Sequence, residues 1–355
     1  MKEIFSEEKE NKDKHAMKNA TKMKTQFRIL GWMLLTLASI NSQAQDVHFS
    51  QYYTTPLQVN PAKAGFFNGN VRMAGIYKNQ WSSVTAPYST FSGSIDFSAA
   101  TAKGKEGNIV GFGLLATSDK AGDAAYTTTQ VGGTFAIHKR IGKWGNQFIS
   151  VGSSLTYNNT HFDQSMLHWD NEYFGKPANE NFLSTTSYAD FSLGTEYNFC
   201  PAEGNNFNLG IGLFHINQPE LSFNNQYGAV LYRKFLFNTG AEFRMSQKFQ
   251  LYPRAMLAIQ GGHHEVNVGS FLRIRLDKSR NPRYNVYLGT WYRVNDAFVA
   301  VTRFDIDNFS FAFSYDVNSS SLTKASYGMG GPELSFLYTS ALSSLGSKKV
   351  YCPRF

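Results

Sequence analysis

From about residue 71 to the end, apolar and polar residues alternate with a period of two, the signature of half-buried β-strands. In Phe309-Ser310-Phe311-Ala312-Phe313-Ser314-Tyr315-Asp316 the aromatics share one face and small or polar residues the other. Phe207, Leu209, Ile211 and Leu213 alternate with Asn208, Gly210 and Gly212, and Phe191, Leu193, Tyr197 and Phe199 with Asp190, Ser192, Glu196 and Asn198. Leu272, Ile274 and Leu276 alternate with Arg273 and Arg275. The same pattern sets Phe235, Phe237 and Phe243 against Asn238, Gly240, Glu242 and Arg244.

Two architectures accept such strands. A soluble antiparallel sandwich would turn the aromatic face inward. A transmembrane barrel turns it toward lipid and gives the polar face to the lumen. The strands run roughly 9 to 14 residues, the length of a tilted spanning strand rather than the ~5–6 of an ordinary one. Their polar face is rich in glycine and poor in lysine, unlike a solvated sheet. Trp81, Trp144 and Trp291 fall toward strand ends, where a membrane interface holds aromatics. The fold expected is therefore all-β, a transmembrane antiparallel outer-membrane β-barrel over 71–339.

Fourteen strands are expected, at 71–79, 88–98, 109–118, 126–139, 147–157, 187–199, 206–217, 231–244, 250–261, 265–276, 284–294, 298–305, 309–317 and 332–339. An even number puts both ends of the barrel on one side, with short turns there and long loops opposite. If the first strand runs outward, the long gaps 158–186, 218–230 and 318–331 all fall on the outer side.

The rest of the chain refines this picture. Of 355 residues 42% are hydrophobic and only 17% charged, against roughly 25% charged in an average soluble domain. The aromatic content argues against disorder. Ile29 to Ile40 is one apolar block, preceded by Lys18, Lys22, Lys24 and Arg28 and followed by Ser42-Gln43-Ala44. These are the three parts of a secretory signal peptide spanning 1–44, cleaved near Ala44. Its first 16 residues mix Lys with Glu and Asp, which points to translation from Met17 or to a tolerated prefix. Past the leader no apolar run approaches the ~18 residues of a spanning helix. The net charge of +8 is dispersed, so a nucleic-acid partner is not expected.

Candidate chemistry is sparse. Gly111-Phe112-Gly113-Leu114-Leu115-Ala116 spells a dinucleotide fingerprint, but it lies inside a strand with no helix after it, so the match is coincidental. The 158–186 gap carries His161, Asp163, His168, Trp169, Asp170 and Glu172, an extracellular feature that could bind metal or activate water. Solvated turn-capping is the plainer reading, and neither a catalytic residue nor a metal or cofactor is expected. His263-His264 fills a tight turn and points two ways, which disfavours shared ligation. Cys200 and Cys352 both fall on the inner side, where a disulfide is allowed but not required.

Residues 45–70 do not alternate, and Phe49, Tyr52, Tyr53, Phe66 and Phe67 argue against exposure to water. The segment is expected to be a lumen plug or a periplasmic contact. Here Gln45-Asp46-x-His48-Phe49-Ser50-Gln51-Tyr52, then Pro56-Leu57 and Asn60-Pro61-Ala62-x-Ala64-Gly65, resembles the mature start of the PorP/SprF family. Further matches are Tyr77-x-Asn79-Gln80-Trp81 with Pro87-Tyr88, Trp291-Tyr292-Arg293, Ser314-Tyr315-Asp316, and the ending Cys352-Pro353-Arg354-Phe355. Val47, where the family commonly has Pro, and the charged prefix depart from it, and 140–260 supplies no matching motif. The resemblance implies an outer-membrane component of the type IX secretion and gliding machinery of Bacteroidetes, without enzymatic activity. It implies as partners other type IX components and secreted cargo, often a large adhesin, bearing a C-terminal sorting domain. On that reading the barrel mouth holds cargo, while the N-terminal segment and a tail at 340–355 meet the periplasmic machinery. A porin remains the alternative, with Arg244, Arg273, Arg275, Arg293 and Arg303 as lumen charges selecting anions. A barrel enzyme built on the 158–186 loop and an exported glycan-binding sandwich complete the set.

Overall fold

The computed structural model describes residues 46–80, 87–100, 108–142, 146–167, 175, 183–202, 204–223, 229–277, 283–320 and 323–340. The leader, Trp81, Trp144, Lys278, Arg280 and the 341–355 tail lie outside the described residues. Fourteen strands close into one antiparallel barrel. They are β1 (Val71–Gln80), β2 (Tyr88–Ala100), β3 (Ile109–Ala121), β4 (Tyr126–Ile141), β5 (Gln147–His161), β6 (Thr185–Ala202), β7 (Asn205–Phe214), β10 (Lys234–Arg244), β11 (Phe249–Gln260), β12 (His263–Arg275), β13 (Tyr284–Arg293), β14 (Ala297–Ile306), β15 (Phe309–Asn318) and β16 (Met329–Thr339). Two short strands, β8 (Glu220–Leu221) and β9 (Ala229–Val230), form a separate hairpin in the β7–β10 connection. Each barrel strand pairs with its sequence neighbours and β16 closes on β1, Lys78 opposite Glu333 and Ala74 opposite Leu337.

The alternation of the sequence and the position of each strand agree. What differs is the reach of some strands: β5 and β6 extend to His161 and from Thr185 and shorten the loop between them to 162–184, β7 stops at Phe214, β10 starts at Lys234 and β16 starts at Met329. Thr127–His161 and Thr160–Thr186 pairings continue the ladders there although the apolar alternation has faded. Backbone pairing, which needs no side-chain pattern, carries strands beyond their lipid-facing part.

Phe91, Phe112, Phe135, Leu155, Phe207, Leu209, Phe298, Phe311 and Leu334 stand exposed on the outer face. The positions between them point inward and are buried. Among the described residues the outward face carries charge only at Lys120 and Lys139, near strand ends. A midplane charge there would cost about 2–4 kcal/mol. Closure leaves no unpaired edge, which in hydrocarbon would cost several kcal/mol per orphaned N–H or C=O. Trp291 corrects the expected aromatic girdle: it faces the lumen, 2% exposed, against Phe271.

Residues 46–70 occupy the lumen. The segment begins at the long-loop end beside β7, β10 and β11, descends through short turns at Tyr52–Thr54, Pro56–Val59 and Pro61–Lys63, and reaches the short-turn end before entering β1.

Candidate functional site

At the long-loop mouth Asp46 meets His215 (2.7 Å) and Lys234, and Asp190 holds the other nitrogen of His215 at 2.9 Å. Gln260 adds an amide contact to Asp46. Burial alone would push the His215 imidazole down, but the two carboxylates outweigh it and raise it to about 9. Burial opposes ionisation of Asp46 as well, yet Lys234 and His215 hold its carboxyl well below the ordinary range.

One turn deeper, Ser50 and Gln51 donate consecutive backbone N–H groups to the two oxygens of Glu333, at 2.8 and 2.9 Å. Lys78 sits 3.3 Å from the same carboxylate and donates to the His48 carbonyl. The Ser50 hydroxyl donates to Asp316 (2.6 Å) and accepts from Arg293 (2.7 Å), which also pairs with Asp316 and Asp296. The Gln51 side chain donates to Ser314 and accepts from Ser335. These anchors lie on β13, β15, β16 and β1, astride the seam.

The middle of the segment is apolar. Tyr53 packs on Phe271 and Trp291 at 5.2 and 5.1 Å between ring centres. Pro56 opens its helical turn, where a fixed φ and a missing N–H cost nothing. Asn60 caps the next turn by accepting from the Ala62 N–H, and its amide donates to the Thr195 carbonyl. Lys63 pairs with Glu196 at 2.6 Å.

At the inner end Arg72 grips Asp96 with two bonds of 2.9 and 2.7 Å and donates to the Lys63 carbonyl. Gly65 N–H donates to Asp96 at 2.7 Å, and the His138 ring donates to the Ala64 carbonyl at 2.7 Å while accepting from Ser150. Phe66 closes this end against Phe148. Barrel glycines make room for the crossing. A Cβ at Gly111 would stand 1.8 Å from the Ala64 carbonyl oxygen, one at Gly194 2.0 Å from Asn60 Oδ1, and one at Gly152 2.5 Å from Pro61. Gly111 therefore serves close approach of two backbones and Gly113 leaves room for the Leu57 side chain, and no nucleotide loop exists here.

Among the described residues two small cavities lie beside the segment. One of about 70 Å³ opens at the mouth between His48, Tyr52, Met256 and Glu265. The other, about 30 Å³, lies deeper near Tyr53, Asn208, Asn238 and Arg254.

The motif residues thus divide. His48, Phe49, Ser50, Gln51, Tyr52, Pro56, Asn60, Pro61 and Gly65 meet in the lumen, and Asp316 receives Ser50 there. Tyr315 faces outward, Asn79 lies half-buried on the outer face of β1, and Gln80 ends that strand. Trp81, His168, Trp169, Asp170, Glu172, Cys352, Pro353, Arg354 and Phe355 lie outside the described residues. His161 ends β5 exposed, and Asp163 caps the turn Gln164–Met166 by accepting from Ser165 N–H. Among the described residues no three His, Cys, Asp or Glu could hold a metal. His263-His264 is not the turn: Gly261 and Gly262 are, and the histidines open β12. Cys200 is buried and disulfide-bonded. The pairings Arg72–Asp96, Lys78–Glu333 and Asp46–His215 were not read from the sequence. For Arg72–Asp96 and Lys78–Glu333 the one signal is a charged residue on the lumen parity of a strand; Asp46 and His215 lie outside the strands and carry none.

The barrel is similar in shape to several outer-membrane proteins. A deltaS2S3 mutant of the TodX monoaromatic hydrocarbon channel aligns over 79% of this chain and 92% of its own at 7% identity and TM-score 0.49. A FadL homologue of Pseudomonas aeruginosa aligns over 79% and 92% at 9% identity and TM-score 0.44. The NalP autotransporter translocator domain of Neisseria meningitidis covers 76% and 88% at 9% identity and TM-score 0.38. No curated protein matches the chain in sequence. The family described as type IX secretion system membrane protein PorP/SprF matches residues 41–338, nearly the whole barrel and its lumen segment. The chain belongs to the PorP/SprF family of type IX secretion system membrane proteins.

Proposed function

We propose that this protein is a closed, non-catalytic scaffold in the outer membrane that receives exported cargo carrying a C-terminal sorting domain at its long-loop mouth. It reaches the membrane after cleavage of the leader near Ala44. Other secretion components contact its short-turn end and the 340–355 tail, and adhesin-like cargo is held on the outside by the loops at 162–184, 215–233 and 319–328.

The observation that carries the reading is the filled lumen. Hydrogen bonds to buried carboxylates fix the segment at both ends, Ser50 and Gln51 on Glu333, Ser50 on Asp316 and Gly65 on Asp96, and Lys63 pairs with Glu196 between them. A hydrogen bond to a charged group contributes about 1.5–3 kcal/mol, so the segment does not vacate the lumen readily. A polypeptide has no route through it, which leaves the mouth as the place where cargo is met. The porin reading draws on the two cavities beside the segment.

Planar-bilayer recording separates the two. A scaffold is silent, and large ohmic steps from the intact protein would sink the proposal in favour of a porin. For the mouth, deletion of 162–184 is expected to abolish recovery of sorting-domain cargo in a pull-down from native membranes while barrel insertion persists. Cargo recovered at the normal level would take the capture role away from that loop.

A further inference from the structure

Most lumen charges are matched by partners, but one row is not. At the short-turn end Arg244 on β10, Gln250 on β11 and Arg273 on β12 stand side by side, Arg244 opposite Gln250 and Gln250 opposite Arg273. Arg275 follows two residues below Arg273 on the same face. The row is contiguous in side chains too. A Cβ at Gly204 would lie 2.7 Å from Arg244 Nε and 3.0 Å from the Gln250 amide nitrogen, and Arg273 donates to Gln250 Oε1 at 2.7 Å.

Among the described residues none of the three arginines is paired with a carboxylate. Arg273, 4% exposed, donates only to the neutral Gln250, Tyr252 and Asn285. Arg275 keeps a buried Nε with no hydrogen-bond partner. Arg244, exposed at the short-turn end, donates through its backbone alone. The acid at hand, Glu242, is occupied by Asn206 at 2.6 Å and Tyr252 at 2.8 Å. With Asp305 already paired to Arg303, the described residues set three guanidiniums against one carboxylate, an excess of about two positive charges in a partly desolvated row, where like charges repel more strongly than in water.

We infer that this row is a binding site for a phosphate-type oxyanion entering from the short-turn side. A phosphate group carries about −1.5 to −2 near neutral pH and so matches the excess, where a single carboxylate leaves half of it. Guanidinium forks suit phosphate oxygens in paired bonds, and the Arg275 Nε and the free nitrogens of Arg244 are the donors still unused. The site faces the lumen, so a free anion reaches it directly and a phospholipid reaches it with its headgroup alone. It stands whether or not the barrel captures cargo.

The test is titration calorimetry on the full-length protein in detergent, with inorganic phosphate and, separately, short-chain dihexanoyl phosphatidic acid, each against chloride at equal ionic strength. One saturable phosphate site is expected, weakened about tenfold or more in the Arg244→Gln/Arg275→Gln double variant, the scale of one charge-assisted bond. Heat-modifiable migration checks that the variant still folds. Binding of both compounds assigns a free oxyanion, and binding of the lipid alone assigns a headgroup. Three results overturn the proposal: no saturable binding of either compound, undiminished binding by the folded variant, or binding of polyglutamate where neither phosphate compound binds, which would give the row to an acidic polypeptide.

Discussion

Gly111 is the position where the lumen segment and the wall come closest, and Gly111→Ala measures how firmly the two are joined. The new methyl would stand 1.8 Å from the Ala64 carbonyl oxygen, 2.4 Å from its carbon and 2.8 Å from Gly65 N, all backbone atoms with no rotamer to yield. The strand is paired on both sides, so the segment must retreat. Overpacking of this kind costs about 1–3 kcal/mol. Retreat also stretches the His138 bond to Ala64 and the Gly65 bond to Asp96, both 2.7 Å and buried, worth roughly 1 and 1.5–3 kcal/mol. A total of roughly 3.5–7 kcal/mol is expected. Gly133→Ala is the control, because a Cβ there meets nothing closer than 4.0 Å. The assay is the temperature at which the folded, fast-migrating band converts in SDS gels, read beside bilayer conductance. Gly111→Ala should convert many degrees earlier than wild type and Gly133→Ala should not. Equal conversion temperatures for all three proteins would show that the segment is not wedged against β3, and the account of the filled lumen would fail with it.

Two further outcomes follow from the anchors. The His215 imidazole is raised in the folded protein, so its contribution to holding Asp46 is complete below about pH 6.5 and lost as pH climbs through about 9. With its rate divided by that of a free thiol at the same pH, Val47→Cys should gain reactivity toward a thiol reagent over that window, and His215→Gln should remove that extra gain; a flat normalised profile with His215 present would refute the assignment. Glu333→Gln leaves Lys78 buried without its counter-ion and weakens two N–H bonds. It should lower the SDS-gel conversion temperature by the equivalent of about 3–5 kcal/mol, and an unchanged temperature would count against the seam anchor.

The barrel was legible because lipid imposes a rule on every second residue. Phe309, Phe311 and Phe313 announce one face, and Ser310, Ala312 and Ser314 the other, with no knowledge of their neighbours. The lumen was not legible in the same way. Asp96 and Arg72 sit on adjacent strands in one register, and the sequence separates Lys78 from Glu333 by most of the chain. Trp291 was misassigned for a related reason: large aromatics suit either an interface or a core, and only Tyr53 approaching from inside decides between them. His263-His264 is expected in the turn, yet Gly261 and Gly262, whose backbone freedom closes the hairpin, form it. The motif at 48–65 was visible as a motif, but its physical meaning, a strip of donors and small residues fitted to barrel glycines, needed the opposing wall.

The lumen segment runs directly into the first strand and, before doing so, clasps Glu333 of the last one. Joining the two ends of the sheet and seating the segment are therefore one event during biogenesis. A chain that has laid down only thirteen strands lacks both, because Glu333 lies on the fourteenth. An insertion apparatus delivering this protein must release it with the interior already furnished, since no later step could restock an empty cylinder without prising it apart.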